Sequence, residues 1–310
     1  MEPAGRFRHE ALFYQEAPHY VADTARYVRE GLAAGESVLV AVVEEHARSL
    51  REELGADAAR VEFLDMAQVG RNPARLIPAW QEWVERNTAR GTAFRGVGEP
   101  VWAGRSELEI RECLRHEHLL NTAFENGPEW GLLCPYDRAH LPREVIEDVA
   151  RTHPGSRGAL PAVDGEACAV DGGREALDAE PPDLGPPLFS ASFGVEALPW
   201  LRTAIRERAD QLGLYGRDVA DFVLVADELA CNSVRHGGGH GRMELWAQDG
   251  HAVCEVRDEG LISDPLVGRR RPALTAEGGA GLWTANQVCD LLLIHSTPAS
   301  GTAVRAYLPT

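Results

Sequence analysis

The first half of the chain alternates apolar runs with amphipathic segments. Residues 37–43 (SVLVAVV) form a continuous apolar run, which is typical of a strand buried on both faces of a parallel sheet. An amphipathic helical pattern that ends at Gly31 precedes this run. Strands that alternate with helices predict a parallel α/β sheet. The other strands are expected at 9–14, 93–99 and 131–137, and the other helices at 107–126 and up to Thr152.

The second half predicts a different order of elements. Residues 242–247 and 252–257 alternate largely between apolar and polar positions around an Asp-Gly pair, which predicts an antiparallel hairpin. Residues 155–187 are rich in Gly, Pro, Ala, Asp and Glu, and predict a flexible linker between domains at 1–154 and 188–310. The remaining predictions are strands at 188–193 and from Gly301, and helices at 196–214, 217–236 and 282–288.

The predicted helix 217–236 carries the most informative pair of polar residues. Glu228 and Asn232 are four residues apart, so they lie on one face about 6 Å apart along the axis. The amide oxygen of Asn232 suits Mg²⁺, which takes oxygen ligands and binds through one protein group plus phosphate oxygens. The Glu228 carboxylate suits a general base for attack on a terminal phosphate. Alone, the pair is explained better as two ordinary polar residues on the exposed side of an amphipathic helix, and only the later motifs change that interpretation.

Later motifs favour a nucleotide site. Asp258 ends a predicted strand beside Gly260, where its carboxylate can accept the exocyclic amine of adenine and so select adenine over guanine. Gly279 and Gly281 allow backbone N–H groups to approach phosphates at the start of a helix. Thr302 offers a hydroxyl to the same site, although a single threonine is also explained as an ordinary strand residue.

These residues resemble a known superfamily. Glu228-x-x-x-Asn232, Asp258-x-Gly260, Gly279-x-Gly281 and Gly301-Thr302 are similar to the N, G1 and G2 boxes and the terminal motif of the GHKL ATPases, over about the last 120 residues. The domain is most similar to anti-sigma-factor serine kinases, whose N box ends in Asn-x-x-x-His-Gly, as in 232–237 here.

The resemblance implies a fold, cofactors and partners. The fold is an α/β sandwich with a mixed sheet (the Bergerat type), the cofactors are ATP and Mg²⁺, and His236 and Leu282 join the ATP-binding residues. The implied activity is phosphorylation of a serine on a small STAS-type antagonist protein, together with sequestration of a sigma factor. Relatives tend to dimerise through the first helix and sheet of this domain, so the resemblance leaves a homodimer of this chain as one alternative.

Departures from the family pattern keep alternatives open. Cys231 and Ser233 replace residues that are usually Thr or Val and Ala, and both changes are expected to be tolerated. Ala280 stands where the G2 box often has Arg, which weakens the expectation of ATP turnover and leaves a non-enzymatic binding module as an alternative. A histidine kinase would need a phosphoacceptor histidine on a helical hairpin before the ATPase, and 155–187 contain no histidine.

The first half also resembles a known domain. Its motifs are similar to the sensory domain named for methanogens, methylotrophs and a dichloromethane regulator, which implies a RecA-like parallel α/β fold and sensing of a small molecule. The motifs are His9-x-x-x-Phe13-Tyr14, Gly98-Glu99-Pro100-Val101-Trp102, His116-Glu117-x-x-Leu120-Asn121 and Leu133-Cys134-Pro135-Tyr136-Asp137, within residues 6–154.

Four of these residues are candidates for a sensory pocket at strand ends: His9, Trp102, His116 and Tyr136. Ordinary core packing explains each one, taken alone, at least as well. The triplet 116–118 (His-Glu-His) is too tight and too isolated to indicate a metal site by itself.

Composition narrows the functional classes. The formal net charge of −17 disfavours direct nucleic-acid binding and suits a protein partner with basic patches, although it serves solubility equally well. Six cysteines without a Cys-x-x-Cys pair indicate neither a zinc site nor a disulfide framework. No apolar run approaches the ~20 residues of a membrane span, and the polar N-terminus does not resemble a signal peptide. A cytoplasmic location is therefore expected.

Overall fold

The chain divides into two compact units, Met1–Gly172 and Gly173–Thr310, each built around its own sheet. A computed structural model describes residues 7–102, 104–153, 155–157, 177, 179–272 and 280–310. Among these residues, no helix combines the length and the apolar character needed to cross a membrane. The predicted α/β fold with two domains is confirmed.

The first unit contains a six-stranded sheet in the order β3-β2-β4-β5-β1-β6, in which every pairing is parallel. The predicted parallel sheet is therefore confirmed. Its strands are β1 (Phe7–Tyr14), β2 (Ser37–Val42), β3 (Val61–Asp65), β4 (Phe94–Gly98), β5 (Trp130–Asp137) and β6 (Gly155–Arg157). Its helices are α1 (Ala17–Ala33), α2 (Glu44–Leu54), α3 (Met66–Val69), α4 (Leu76–Ala89), α5 (Glu107–Phe124) and α6 (Arg143–Thr152).

Helix α5 starts where its sequence provides a cap and then passes through the core. The Ser106 hydroxyl accepts a hydrogen bond from the backbone N–H of Glu109, whose carboxylate accepts one from the backbone N–H of Ser106. This reciprocal pair satisfies two N–H groups that the first turn leaves without helical partners. The helix then carries four charged or polar side chains, at 112, 115, 116 and 117, into buried positions.

The second unit contains a five-stranded sheet in the order β10-β11-β9-β8-β7. Its strands are β7 (Phe189–Gly194), β8 (His240–Gln248), β9 (His251–Asp258), β10 (Leu291–Thr297) and β11 (Gly301–Pro309). Its helices are α7 (Leu198–Arg206), α8 (Arg217–His236) and α9 (Ala280–Val288). The bounds of α8 agree with the predicted 217–236.

All four pairings in the second sheet are antiparallel, so the expected mixed sheet is wrong. Two hairpins, β8/β9 and β10/β11, account for two of these pairings. Two helices lie between β7 and β8, instead of the single helix of a parallel crossover, and the chain therefore returns in the opposite direction. The predicted Asp-Gly turn is confirmed, with positive φ at Asp249 (50°) and Gly250 (75°) as a type I′ turn requires.

The helix predicted at 196–214 ends at Arg206. After this residue, the backbone N–H groups of Arg208 and Ala209 bond to carbonyls three residues earlier, which tightens the chain into turns. These turns bring Leu212 and Leu214 into the core, where each is 1% exposed. Burial of two leucines, worth about 1.5–3 kcal/mol each, outweighs the continuation of the helix.

Both ends of the predicted linker lie against a domain, which corrects its bounds. At the first end, Gly155–Arg157 forms β6 and pairs with β1. At the other end, residues 179–187 contact the second sheet, and we call this segment the strap. Glu180 pairs with Arg257 at 3.0 Å, and the carbonyls of Pro182 and Gly185 accept hydrogen bonds from side chains of the sheet. The rest of the predicted linker, at 158–176 and 178, lies outside the described residues.

A buried ion pair joins β9, β11 and the strap. Glu255 and Arg305 stand opposite each other across the two strands and are 2% and 3% exposed. The guanidinium Nη2 lies 2.7 Å from the carboxylate, and Nη1 donates to the carbonyl of Pro182 at 2.6 Å. Arg257 donates to the other carboxylate oxygen of Glu255 at 2.6 Å. Loss of one partner from such a pair leaves a charge buried without full compensation.

We expect Arg305→Met to lower the free energy of unfolding of the second unit by about 3 kcal/mol, because Glu255 keeps only one cation and the strap loses a donor. Hydrogen exchange of the β9 and β11 amides in the full chain measures this loss. Arg242→Met is the control, because Arg242 makes an exposed pair with Glu244 on the same sheet. A change in the control above about 1 kcal/mol, or none in Arg305→Met, would contradict the argument.

Candidate functional site

A cavity of about 310 Å³ lies between α8, the ends of β9 and β11, and the start of α9. This volume falls at the lower end of the range for small-molecule sites. Seven of the residues predicted for a nucleotide site line it: Asn232, His236, Asp258, Gly260, Gly281, Leu282 and Thr302. Gly279 lies outside the described residues. Motifs up to 70 residues apart in the chain therefore meet at one place.

Glu228 and Asn232 meet the start of α9 at Gly281. A Cβ on Gly281 would lie 2.8 Å from Glu228 Oε2 and 2.9 Å from Asn232 Nδ2. Any side chain at 281 would therefore collide with both groups, so the close approach requires glycine. The predicted helical face is present, and both side chains are half-buried beside the cavity. The arrangement places a carboxylate and an amide next to the first backbone N–H groups of a helix.

Asp258 is held at the end of β9 by two donors. The Ser233 hydroxyl donates to Oδ2, and the backbone N–H of Gly260 donates to Oδ1 at 2.8 Å. A Cβ on Gly237 would lie 2.2 Å from Asp258 Cγ, so the end of α8 approaches the carboxylate as closely as glycine allows. These contacts fix the orientation of the carboxylate in the cavity wall.

Ser233 is a site residue that the sequence analysis missed, because it was interpreted only as a tolerated replacement. It is 1% exposed and lines the cavity. The sequence contains one signal for this role, because Ser233 is a polar side chain on the apolar face of α8, among Leu229, Ala230 and Val234. A buried hydroxyl needs a partner, and Asp258 provides it.

Thr302 and His236 occupy different parts of the wall. The Thr302 hydroxyl donates to the carbonyl of Gly260 at 2.9 Å and lies 2.7 Å from the Ser296 hydroxyl. Ser296 in turn accepts from the backbone N–H of Ile262 at 2.8 Å, so these hydroxyls hold the chain that follows β9. His236 is exposed at the end of α8, and its carbonyl is the atom nearest to a Cβ built on Gly260, at 2.6 Å.

The residues that depart from the family pattern lie around the same helix. Cys231 is half-buried, and burial, together with Asp227, raises the pKa of its thiol, so it stays protonated near pH 7. The Asp227 carboxylate pairs with Arg202 at 2.7 Å. Ala280 is the exposed first residue of α9 and provides no cation there.

The four candidates for a sensory pocket make different contacts in the structure. The rings of His9 and Tyr136 both contact His153, with centroid distances of 4.0 and 5.5 Å. His116 is also buried, and burial lowers its pKa to about 4, so its imidazole is neutral near pH 7. Trp102 instead stacks on the guanidinium of Arg105 at 3.7 Å. That these residues line a ligand pocket stays a prediction.

Comparisons with known proteins agree with this geometry. Residues 8–154 match the model of the MEDS family, described as the methanogen/methylotroph, DcmR sensory domain. Residues 192–308 match the histidine kinase-like ATPase domain. No curated protein matches the chain.

The two matches together cover most of both sheets, and the second includes every described residue of the cavity wall. The chain therefore carries a MEDS sensory domain followed by a histidine kinase-like ATPase domain of the GHKL type, and it is an ATP-binding regulatory protein.

Proposed function

We propose that this chain is an ATP-dependent protein serine kinase that phosphorylates a STAS-type anti-sigma antagonist and sequesters a sigma factor, under the control of its sensory domain. The observation that carries the proposal is the meeting of Glu228 and Asn232 at Gly281, beside the cavity that contains Asp258. A base, a metal-binding amide and a fixed carboxylate in one place suit phosphoryl transfer from a nucleotide.

The cavity fits an adenine nucleotide. Val256, Leu261 and Ile262 give its wall an apolar part suited to a base, and the fixed Asp258 carboxylate can accept an exocyclic amine. The Asn232 amide oxygen is a hard ligand of the kind that Mg²⁺ takes. The ion, when bound there, would neutralise phosphate charge. The first N–H groups of α9 suit phosphate oxygens, because they lack helical partners.

The proposed reaction assigns one step to Glu228. Its carboxylate accepts the proton of a serine hydroxyl on the antagonist while the serine oxygen bonds to the terminal phosphorus. The bond from that phosphorus to its bridging oxygen breaks, and the electron pair leaves with ADP. Such a base contributes about 10²- to 10⁴-fold to the rate. The neighbouring Asp227 is already paired with Arg202, so Glu228 is the better candidate.

One observation favours a second candidate, a nucleotide-binding partner switch without catalysis. Ala280 provides no cation at the start of α9, next to Gly281. A cation at this position would stabilise the charge that develops on the transferred phosphoryl group. In a partner switch of this kind, nucleotide binding would change only the affinity for the partner protein.

We expect ATP binding to depend on Asp258. Asp258→Ala should weaken ATP binding about 10- to 150-fold, the equivalent of one charge-assisted hydrogen bond, and wild type should bind ATP in preference to GTP. Isothermal titration with Mg-ATP and Mg-GTP measures both. Asp221→Ala is the control, since Asp221 pairs with Arg217 at the far end of α8. Equal affinity of wild type for ATP and GTP would remove Asp258 from the assigned role.

Glu228→Gln separates the two candidates. We expect it to leave ATP affinity within about threefold of wild type, while phosphorylation of a STAS-type antagonist from the same genome falls at least ~100-fold, because the base is lost. Transfer of labelled phosphate from ATP provides the readout. Asp227→Asn is a matched control, because it changes the adjacent carboxylate and should keep activity. If wild type binds ATP and the antagonist without transferring phosphate, the partner switch is the correct function.

The proposal includes a homodimer through the first strand and helix of the ATPase domain. β7 is an edge strand, and Leu188, Val195 and Trp200 near it are 51–57% exposed. We expect Trp200→Asp to shift the full chain from dimer to monomer in sedimentation analysis, because it places a charge in an apolar contact. Leu261→Asp, at a residue of similar exposure on the cavity side, should leave the dimer intact. A wild-type monomer at micromolar concentration would contradict this part of the proposal.

A further inference from the structure

Four buried side chains of the first unit converge at one place. They are His9 on β1, Glu117 on α5, Cys134 on β5 and His153, which follows α6; their ligand atoms all lie within 4.8 Å of one another. Glu117 Oε2 lies 3.0 Å from His9 Nε2 and 3.1 Å from His153 Nε2, and Cys134 Sγ lies 3.4 Å from His9 Nε2. A tetrahedral zinc ion separates its ligand atoms by roughly 3.3–3.8 Å, so small shifts suffice to bind one.

The hydrogen bonds of both imidazoles present Nε2 to the cluster. His153 Nδ1 lies 2.8 Å from the backbone carbonyl of Val149, which only accepts, so Nδ1 carries the proton. His9 Nδ1 lies 3.2 Å from Asn121 Oδ1, and Asn121 Nδ2 donates to the carbonyl of Thr152 at 2.9 Å, which fixes the oxygen side of that amide. Metal-binding histidines typically donate their other N–H to a carbonyl in this way.

With both Nδ1 atoms protonated, three of the converging atoms are acceptors, namely the two Nε2 atoms and the Glu117 carboxylate oxygen, and the fourth is the Cys134 thiol, a weak donor. Within the part of the chain that the structure describes, Glu117 Oε2 lies 3.0 and 3.1 Å from the two Nε2 atoms, yet neither Glu117 oxygen nor His153 Nε2 makes a hydrogen bond of good geometry. A buried carboxylate without well-formed hydrogen bonds is costly. Two imidazolium rings could supply protons, but they would bury two positive charges at a centroid distance of 4.0 Å against one carboxylate. One divalent cation with a carboxylate, a thiolate and two neutral imidazoles gives a net charge of zero.

We propose that His9, Glu117, Cys134 and His153 bind a zinc ion in a closed tetrahedral site. Two nitrogens, one sulfur and one oxygen form a ligand set that suits zinc, whereas Mg²⁺ and Ca²⁺ take oxygen ligands. Each of the four residues is at most 6% exposed, which leaves no open position and makes the role structural. The ion links β1, β5, α5 and the residue that follows α6. His9 is then a metal ligand and not a contact for a sensed molecule.

The test uses the full chain, purified without a histidine tag. We expect about one zinc ion per chain by elemental analysis, and removal of zinc by a chelator should lower the midpoint of thermal unfolding of the first unit by roughly 5–10 °C. Cys134→Ser and His153→Gln should lose the zinc. Cys113→Ser is the matched control and should keep it, since this equally buried thiol instead donates to the carbonyl of Pro100.

Replacement of zinc by cobalt in wild type covers the case in which the variants fail to fold. A thiolate-to-cobalt charge-transfer band in the near ultraviolet is expected, because Cys134 is a ligand. Wild type with less than about 0.1 zinc per chain, even after refolding with zinc, would overturn the proposal in favour of shared protons. So would bound cobalt without that band, or equal zinc retention in the variants. None of these readouts depends on ATP binding, so the proposed kinase is tested separately.

Discussion

The carboxylate of Asp258 is the point at which the elements of the ATPase site meet. Ser233 from α8 and the backbone N–H of Gly260 each donate to one of its oxygens. Asp258 also stands opposite Thr302 in the pairing of β9 with β11. Glycines permit the close packing around Asp258, since a Cβ at Gly237 would lie 2.2 Å from its Cγ and a Cβ at Gly301 would lie 2.2 Å from its backbone carbonyl oxygen. The relative placement of the helix and the two strands, and with it the shape of the cavity, depends on this one group.

Local geometry explains what the sequence could predict in the second unit. The spacing of Glu228 and Asn232 fixes a shared face as soon as the segment is helical, and the Asp-Gly pair fixes a two-residue hairpin turn. Contacts between distant segments could not be predicted in this way. The bond from Ser233 to Asp258 joins positions 25 residues apart, and the antiparallel sheet depends on how two helices return the chain. The hydrogen bond and the strand directions both follow from tertiary packing and not from the spacing of residues in the sequence.

In the first unit, contacts between distant segments are even harder to predict from the sequence. His9, Glu117 and Cys134 belong to three separate sequence motifs, each weak alone. The parallel register pairs His9 with Leu132 and Ala11 with Cys134, so His9 and Cys134 lie two positions apart on one face of the sheet. β1 and β5 are neighbours in the sheet, although three strands separate them in the chain. No periodicity in the sequence indicates this pairing. A search for Cys-x-x-Cys pairs cannot find ligands that the sheet order brings together.

The strap changes what should be regarded as the ATPase domain. The family match begins at residue 192, yet the carbonyls of Pro182 and Gly185 accept hydrogen bonds from Arg305 and from the indole of Trp246. A fragment cut at the family boundary would lack both acceptors and would expose the sheet face that carries the buried Glu255. The minimal autonomous ATPase fragment therefore begins upstream of the strap, and fragments trimmed to the homologous core would misrepresent the stability of the intact domain.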